Sequence, residues 1–199
     1  GYAITGVDSS ANMLEIARQQ VQTAGLVPRV TLVQQDITHL QLGRKFRMAF
    51  IALGSFAHLI TRAQQQETLA AIRSHMSKGG TFIIDISNAD AHYLEDLGGH
   101  VLHQGTWKRD DGSNLPHLIS PAAATDQHML ELTHFYEQHA QGGPVLRTVV
   151  TTHLYLFERG EMELLLEQAG FTIIDIFGDH DLGPFQLDSP RMICIAEAK

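Results

Sequence analysis

Two carboxylates of this chain follow short apolar segments, and their placement suggests a shared binding site. Asp8 comes directly after the segment Ala3–Val7, and Asp36 comes shortly after the β-branched run Val30–Val33. In an open α/β sheet, ligands bind beyond the carboxyl ends of the parallel strands. An ionised carboxylate accepts hydrogen bonds through both oxygens, so Asp8 is able to hold the two hydroxyl groups of a ribose. This arrangement predicts contact with a nucleotide-type cofactor.

The residues after Asp8 fit a turn from a strand into a helix. Ser10 is a good N-cap residue, and Gly25 supplies a left-handed stop. Apolar residues recur between them at helical spacing: Met13, Leu14, Ala17, Val21 and Ala24. A structural alternative stays open, in which Asp8 only caps this helix through its backbone neighbours. Because strand, helix and strand form a right-handed βαβ unit, Asp8 and Asp36 are expected at one edge of the sheet.

Two further apolar runs, Arg47–Leu53 and Thr81–Ile86, continue the alternation of strands and helices. The helix between them begins with the capping-box pattern of Thr61 and Gln64, and Lys78–Gly80 is predicted to end it. Its predicted buried face holds Leu69, Ile72 and Met76. Near-continuous apolar strands of this kind are typical of a parallel sheet that is covered on both faces.

The pattern changes between residues 89 and 158, where period-two alternation replaces helical spacing. A short helix is predicted first, at Asp90–Leu97. Three alternating runs then predict antiparallel strands: His100–Lys108, Met129–Glu137 and Val145–Phe157. We interpret residues 89–158 as an antiparallel insertion that forms a lid or a substrate wall. Residues 1–88 and 159–199 are then the core.

The last part of the chain predicts a helix and a hairpin. The helix, Glu161–Ala169, is ended by Gly170. The strands Thr172–Phe177 and Arg191–Ala196 are joined by a segment too short for a crossover helix, so they should pair antiparallel. The predicted fold class is therefore α/β, a Rossmann-like, mostly parallel twisted sheet with a C-terminal antiparallel hairpin and an antiparallel β insertion.

The composition argues against several kinds of partner. The 199 residues carry a formal net charge of −8, and nucleic-acid binding depends instead on Lys and Arg. No apolar run approaches the roughly 20 residues that span a bilayer, and no signal peptide is visible, so no membrane partner is expected. The single cysteine, Cys194, lies in an apolar run and is expected to pack in the core, which favours a cytoplasmic location.

The sequence does not favour metal binding by its histidines or acyl transfer by a serine nucleophile. The pairs His100/His103 and His134/His139 lie outside the predicted helices, and no second Cys or Glu completes a tetrahedral set, so no metal is expected. The segment Leu53–Ala57 lacks the second glycine of a nucleophile elbow, so acyl transfer is not expected.

Four segments, in order along the chain, resemble the class I S-adenosylmethionine-dependent methyltransferase family. Val7–Leu14 is similar to the ribose-binding segment of that family, and Gln35–Ile37 to its adenine-binding segment. Leu53–Leu59 resembles the loop of small-molecule N-methyltransferases of the glycine N-methyltransferase type. Ala169–Phe171, followed by a strand hairpin, is also similar. The resemblance implies an enzyme that moves a methyl group from S-adenosylmethionine, in line, to a small-molecule acceptor.

The resemblance also implies roles around the adenosine. Asp8 would hold the ribose hydroxyls, while Ser9 and Met13 would line the adenosine. Asp36 would accept a hydrogen bond from the adenine amino group, and Ile37 would pack on the ring. Met13 and Ile37 could instead be core residues.

At the methionine end, the resemblance assigns the cofactor contacts to Leu53, Gly54 and His58. His58 could instead cap the helix that follows it. A hydroxyl or carbon acceptor needs a base, whereas a neutral amine needs no strong one. The candidate catalytic bases are His58, His180 and Tyr155. His180 lies between two aspartates, which would favour its charged form if they lay within a few ångströms of the ring.

One family feature lies outside the sequence. Members of the family have a strand and a glycine-rich loop immediately before the segment that opens this chain at Gly1. The missing strand would occupy the middle of the sheet, and without it two strand edges are unpaired. Three alternatives follow: residues before Gly1 supply the strand, another chain supplies it, or the domain is incomplete.

Two other functions remain as alternatives to methyl transfer. A nicotinamide-dependent oxidoreductase also places an acidic residue after its second strand. A non-catalytic, methyltransferase-like binding or scaffold domain would lack the cofactor loop. The expected partners are a small-molecule methyl acceptor and, in a homo-oligomer, further copies of the chain.

Overall fold

The computed structural model describes residues 1–88, 99–109, 111–123, 128–139 and 143–199. These residues form, in order, β1 (Ile4–Asp8), α1 (Ala11–Thr23), β2 (Val30–Gln34), β3 (Phe46–Ile51), α2 (Arg62–Ser74), β4 (Met76–Ser87), β5 (Leu102–Lys108), β6 (Asn114–Ala123), β7 (Met129–His139), β8 (Val145–Tyr155), α3 (Arg159–Gln168), β9 (Phe171–Phe177) and β10 (Arg191–Ala198). Short 3-10 helices follow β2, at Ile37–His39, and β3, at Ser55–His58. The strands form three sheets: β1–β2, β3–β4–β10–β9 and β5–β6–β7–β8.

The first unit is the predicted βαβ arrangement. Strands β1 and β2 are parallel, with Asp8 opposite Gln34. Ser10 caps α1, because its hydroxyl oxygen accepts a hydrogen bond from the Met13 N–H at 3.3 Å. Leu14 is buried, whereas Met13 is 54% exposed. The βαβ prediction is confirmed, and the alternative that Met13 is a core residue is wrong.

Helix α2 begins as predicted but ends earlier. The capping box at its start is present. Met76 lies in β4, so the predictions that Met76 is helical and that Lys78–Gly80 ends the helix are wrong. The reason is that His75 already belongs to the sheet ladder, since its carbonyl oxygen accepts a hydrogen bond from the Phe46 N–H at 2.8 Å.

The central sheet holds the main core. Strands β3 and β4 are parallel, and β10 is antiparallel to both of its neighbours, as predicted for the last two strands. Helices α2 and α3 supply the buried side chains Leu69, Ile72, Met162, Leu165 and Leu166 to this core. The rings of Phe82 and Phe171 pack with centroids 5.0 Å apart. Cys194 is 1% exposed, and burial raises the pKa of its thiol to about 12, which fits the predicted packing role.

The insertion forms a four-stranded antiparallel meander with one strand more than predicted. The extra strand is β6, which contains Pro116 and Pro121. Proline has no N–H to donate to a neighbouring strand, so a run that contains proline does not predict a strand that pairs on both sides. The prediction of three strands is therefore wrong. The helix predicted at Asp90–Leu97 lies outside the described residues.

Two edge strands of the described sheets, β1 and β3, expose apolar side chains. Strand β1 pairs only with β2, and β3 pairs only with β4. Apolar side chains on these edges are exposed: Ile4 by 49%, Met48 by 58% and Phe50 by 62%. The strand expected between β1 and β3 stays a prediction. No described helix combines the length and apolar character that crossing a membrane requires.

Candidate functional site

Asp8 ends β1 and has one oxygen available for a ligand. Its Oδ1 accepts a hydrogen bond from the Ser10 N–H at 2.7 Å, which fixes the carboxylate over the start of α1. Its Oδ2 has no hydrogen-bond partner among the described residues. The neighbouring Ser9 is exposed, and its carbonyl oxygen accepts a hydrogen bond from Gln34 Nε2 at 3.0 Å. Helix capping and ligand binding are therefore compatible at Asp8, because they use different oxygens.

Asp36 stands at the corresponding place after β2. Its Oδ1 accepts hydrogen bonds from the Thr38 N–H at 2.8 Å and from the Thr38 hydroxyl at 2.7 Å. The backbone bond and then the hydroxyl bond hold the pKa of Asp36 below its usual value, so the group is a charged acceptor. Its Oδ2 is unpartnered in the described structure. Ile37, next in the chain, is half-buried and packs against the core.

The parallel register brings these two sites to one edge. Asp8 pairs with Gln34, and Asp36 follows Gln34 by two residues. Met13 and Leu53, both predicted cofactor contacts, are 54% and 78% exposed, so the described core does not use them. Two carboxylates at one sheet edge and exposed apolar side chains that the described core does not use suit the ribose, the amino-bearing ring and the apolar stem of one ligand. The residues present therefore fit S-adenosylmethionine.

The loop after β3 has an unusual backbone. Leu53 has a φ of 55° and Gly54 a φ of 79°, both in the left-handed region. This region costs a non-glycine residue about 1 kcal/mol or more. The Leu53 N–H donates to Asp85 Oδ2 at 3.1 Å, and the Gly54 N–H donates to the Asp85 carbonyl oxygen at 2.9 Å. Two hydrogen bonds to Asp85 of β4 thus fix the backbone of this loop.

His58 ends the 3-10 helix that this loop leads into. Its side chain is exposed and has no hydrogen bond to another described residue. Strand β8 of the insertion packs against the same 3-10 helix. Burial lowers the pKa of His134, and the charge of His58 lowers it further. The insertion sheet, β5–β8, therefore packs against the 3-10 helix that ends at His58.

The other two candidate bases have protein partners. Nε2 of His180 lies 3.2 Å from Asp85 Oδ2. The Tyr155 hydroxyl donates to Glu161 Oε1 at 2.9 Å, and its ring packs on Phe157 with centroids 4.7 Å apart. His180 and Tyr155 thus each have a hydrogen-bond partner, whereas His58 has none among the described residues. All three stay predictions as catalytic bases.

Asp85 was not predicted as a site residue, although the sequence carries a signal for it. It is 7% exposed in an otherwise apolar run, and a buried carboxylate needs partners. No group of three or more His, Cys, Asp or Glu side chains in the described ranges is arranged to hold a metal ion.

Residues 1–80 match the model of a protein family described as a methyltransferase domain. A protein of Geobacillus sp. (strain WCH70) that carries a methyltransferase name is 22% identical to this chain over 179 residues. The aligned part is 90% of this chain and 69% of that protein.

Solved structures share the fold. An S-adenosylmethionine-dependent methyltransferase from Clostridium acetobutylicum ATCC 824 superposes with a TM-score of 0.81 at 20% identity, over 98% of this chain and 75% of the other. The sugar N-methyltransferase KedS8 from Streptoalloteichus sp ATCC 53650 gives a TM-score of 0.76 at 20% identity, over 98% of this chain and 71% of the other. At this level of identity the likeness shows the fold.

Proposed function

Because residues 1–80 match a methyltransferase-domain model and the fold is that of solved S-adenosylmethionine-dependent methyltransferases, we propose that the chain is a class I S-adenosylmethionine-dependent methyltransferase. In this proposal it transfers a methyl group in line to a nitrogen atom of a small-molecule acceptor. The observation that carries the proposal is the pair of carboxylates, Asp8 and Asp36, at one edge of the parallel strands. In this proposal the free oxygen of Asp8 accepts from the ribose hydroxyls, and that of Asp36 accepts from the adenine amino group.

The protein's main contribution is to position the two reactants. S-adenosylmethionine, when bound, supplies a methyl group on a positively charged sulfur, which is already activated for displacement. Holding an acceptor in line with that bond is worth roughly 7–11 kcal/mol relative to free reactants. The left-handed turn at Leu53 and Gly54 orients the loop at the methionine end, and His58 accepts the proton that the acceptor nitrogen loses.

A nitrogen acceptor is supported by the identity of the base. His58 is an exposed imidazole, a base of moderate strength, and an amine needs no stronger one. The fold is also that of KedS8, a sugar N-methyltransferase. The glycine N-methyltransferase likeness of Leu53–Leu59 belongs to this proposal as a prediction.

The insertion sheet forms the wall of the acceptor site in this proposal, and residues 1–88 and 159–199 carry the cofactor. Strand β8 packs against the 3-10 helix of His58. The insertion sheet holds a stack of rings in which the His117 ring lies 5.6 Å from Trp107 and 4.4 Å from Tyr136, centroid to centroid. Such flat rings suit the apolar face of a ring-shaped acceptor.

Calorimetric titration of the protein with S-adenosylmethionine tests the proposal. Asp8→Asn keeps the oxygen that accepts from Ser10 but loses a charged acceptor, so affinity should fall about 10- to 100-fold. Glu15→Gln, an exposed change on α1, is the matched control and should bind normally. Unchanged affinity in Asp8→Asn would refute the assignment. Absence of heat with the unmutated protein would favour a scaffold instead.

A further inference from the structure

A buried carboxylate ties together three separate segments behind the loop after β3. Asp85 Oδ2 accepts the Leu53 N–H at 3.1 Å and lies 3.2 Å from His180 Nε2. Its Oδ1 pairs with Nε of Arg191, at the start of β10. The Asp85 side chain is 10% exposed and that of Arg191 is 20% exposed. Because so buried a charge is unstable alone, the carboxylate and its partners form one unit.

The loop that Asp85 contacts needs external support. Leu53 is a leucine in the left-handed region, where its Cβ is crowded by its own backbone. The Leu53 side chain is 78% exposed, so packing does not hold it there. The two hydrogen bonds that Leu53 and Gly54 donate to Asp85 are the contacts that fix this backbone. Residues in such conformations persist only when their surroundings determine them.

The Asp85 carboxylate that accepts the Leu53 N–H is held in its charged form by its neighbours. Burial alone raises the pKa of Asp85. The hydrogen bonds from Arg191, from the Leu53 N–H and from His180, together with the Arg191 charge, outweigh burial and hold the pKa below its usual value. A charged acceptor binds an amide N–H more strongly than a neutral one.

We propose that Asp85 is a positioning residue for methyl transfer, which acts through the Leu53 amide to hold the left-handed turn at Leu53–Gly54. Arg191 and His180 act one step further back, because they fix the carboxylate. The connection between β9 and β10 is thereby linked to the loop that faces the cofactor. The inference rests on the proposed function, which places this loop at the methionine end.

Amide hydrogen exchange measured by NMR tests the contact without requiring activity. The Leu53 amide should exchange at least about tenfold faster in Asp85→Ala than in the unmutated protein. Asp85→Asn keeps an acceptor oxygen and should restore part of the protection. Asp175→Asn, on β9 of the same sheet, is the control and should leave Leu53 unchanged. Equal Leu53 exchange in Asp85→Ala and the unmutated protein would overturn the proposal.

Kinetics separate positioning from general stability. In Asp85→Asn the KM for S-adenosylmethionine should rise about tenfold, while the KM for the acceptor stays the same. Loss of kcat alone, in proportion to the unfolded fraction, would overturn the proposal. If neither Asp85 variant folds, Leu53 amide exchange in the unmutated protein tests the proposal. A Leu53 amide that exchanges as fast as an amide without a hydrogen bond would contradict it. If no methyl transfer occurs at all, the proposed function fails and the exchange experiment still tests Asp85.

Discussion

At the scale of single residues, His58 is the candidate base with no hydrogen-bond partner in the described structure. An alkylammonium acceptor has a pKa near that of lysine, about 10, so most of it is protonated at pH 7 and must lose a proton. His58→Ala should therefore lower kcat about 100-fold at pH 7 and less at pH 9.5, where free amine is more abundant. Methyl-transfer rates at the two pH values measure this.

The control for this prediction is His153→Ala. His153 is an exposed histidine on β8 that interacts with Glu131 rather than with the loop after β3. It should leave kcat unchanged at both pH values. An equal loss of kcat at pH 7 and pH 9.5 in His58→Ala would contradict the role of His58 as a base.

Asp85 shows why some residues escape a reading of the sequence. Asp8 and Asp36 were predictable because their role follows from a local rule, a carboxylate just after a strand. Asp85 lies inside an apolar run, and its partners His180 and Arg191 are 95 and 106 residues away. Only the folded sheet brings these three together, so spacing alone carries no signal for the unit.

At the scale of elements, helix α3 contains one glycine in its first turn and is followed by another whose φ is positive, and the two should respond differently to alanine. Gly170 ends the helix with a φ of 88°, whereas Gly160 lies in the first turn with open space around it. Gly170→Ala should lower the free energy of unfolding by about 1 kcal/mol, because a Cβ is strained at positive φ. Gly160→Ala should raise it by about 0.5 kcal/mol through helix propensity. Chemical denaturation measures both, and a loss of stability in both variants would contradict this account of α3.

The insertion sheet should respond to acid. The pKa of His117 is lowered by burial and then by the charge of His134, and that of His134 by burial and then by His58. A lowered histidine pKa means that the unfolded chain takes up protons first, so the stabilising contribution is complete above about pH 6.5 and is lost as pH falls through the folded pKa. The midpoint of thermal unfolding should therefore decrease between pH 6.5 and 5.

A histidine variant on the sheet checks the cause of this pH dependence. His134→Gln should make the decrease shallower, whereas His103→Gln, an exposed change on β5, should not. The same decrease in both variants and in the unmutated protein would show that other groups are responsible.

The order of the elements was more predictable than their limits. Strand–helix alternation gave β1, α1, β2 and the final hairpin, because apolar period and capping residues act locally. Strand β6 was missed because Pro116 and Pro121 oppose a strand locally and are accepted only within the meander. Met76 was predicted to be helical because its spacing continues the buried face of α2. In the structure it pairs with Phe46 of β3 and belongs to β4.

At the scale of the whole molecule, the α/β fold predicted from the sequence is confirmed, and the match of residues 1–80 to a methyltransferase-domain model agrees with the predicted family and cofactor. The described parallel strands stand in two groups, β2–β1 and β3–β4, and within the described residues β1 and β3 are each paired on one side only. Both carboxylates and the Leu53–His58 loop follow the carboxyl ends of these strands. The proposed cofactor site therefore takes residues from both groups of strands, and neither group forms the site alone.

The most direct measurement is a crystal structure of the protein with S-adenosylhomocysteine, the product form of the cofactor. The account predicts that Asp8 Oδ2 lies about 3 Å from a ribose hydroxyl and that Asp36 Oδ2 lies about 3 Å from the adenine amino group. It also predicts Leu53 beside the homocysteine end. A nucleoside bound away from both carboxylates would contradict the account.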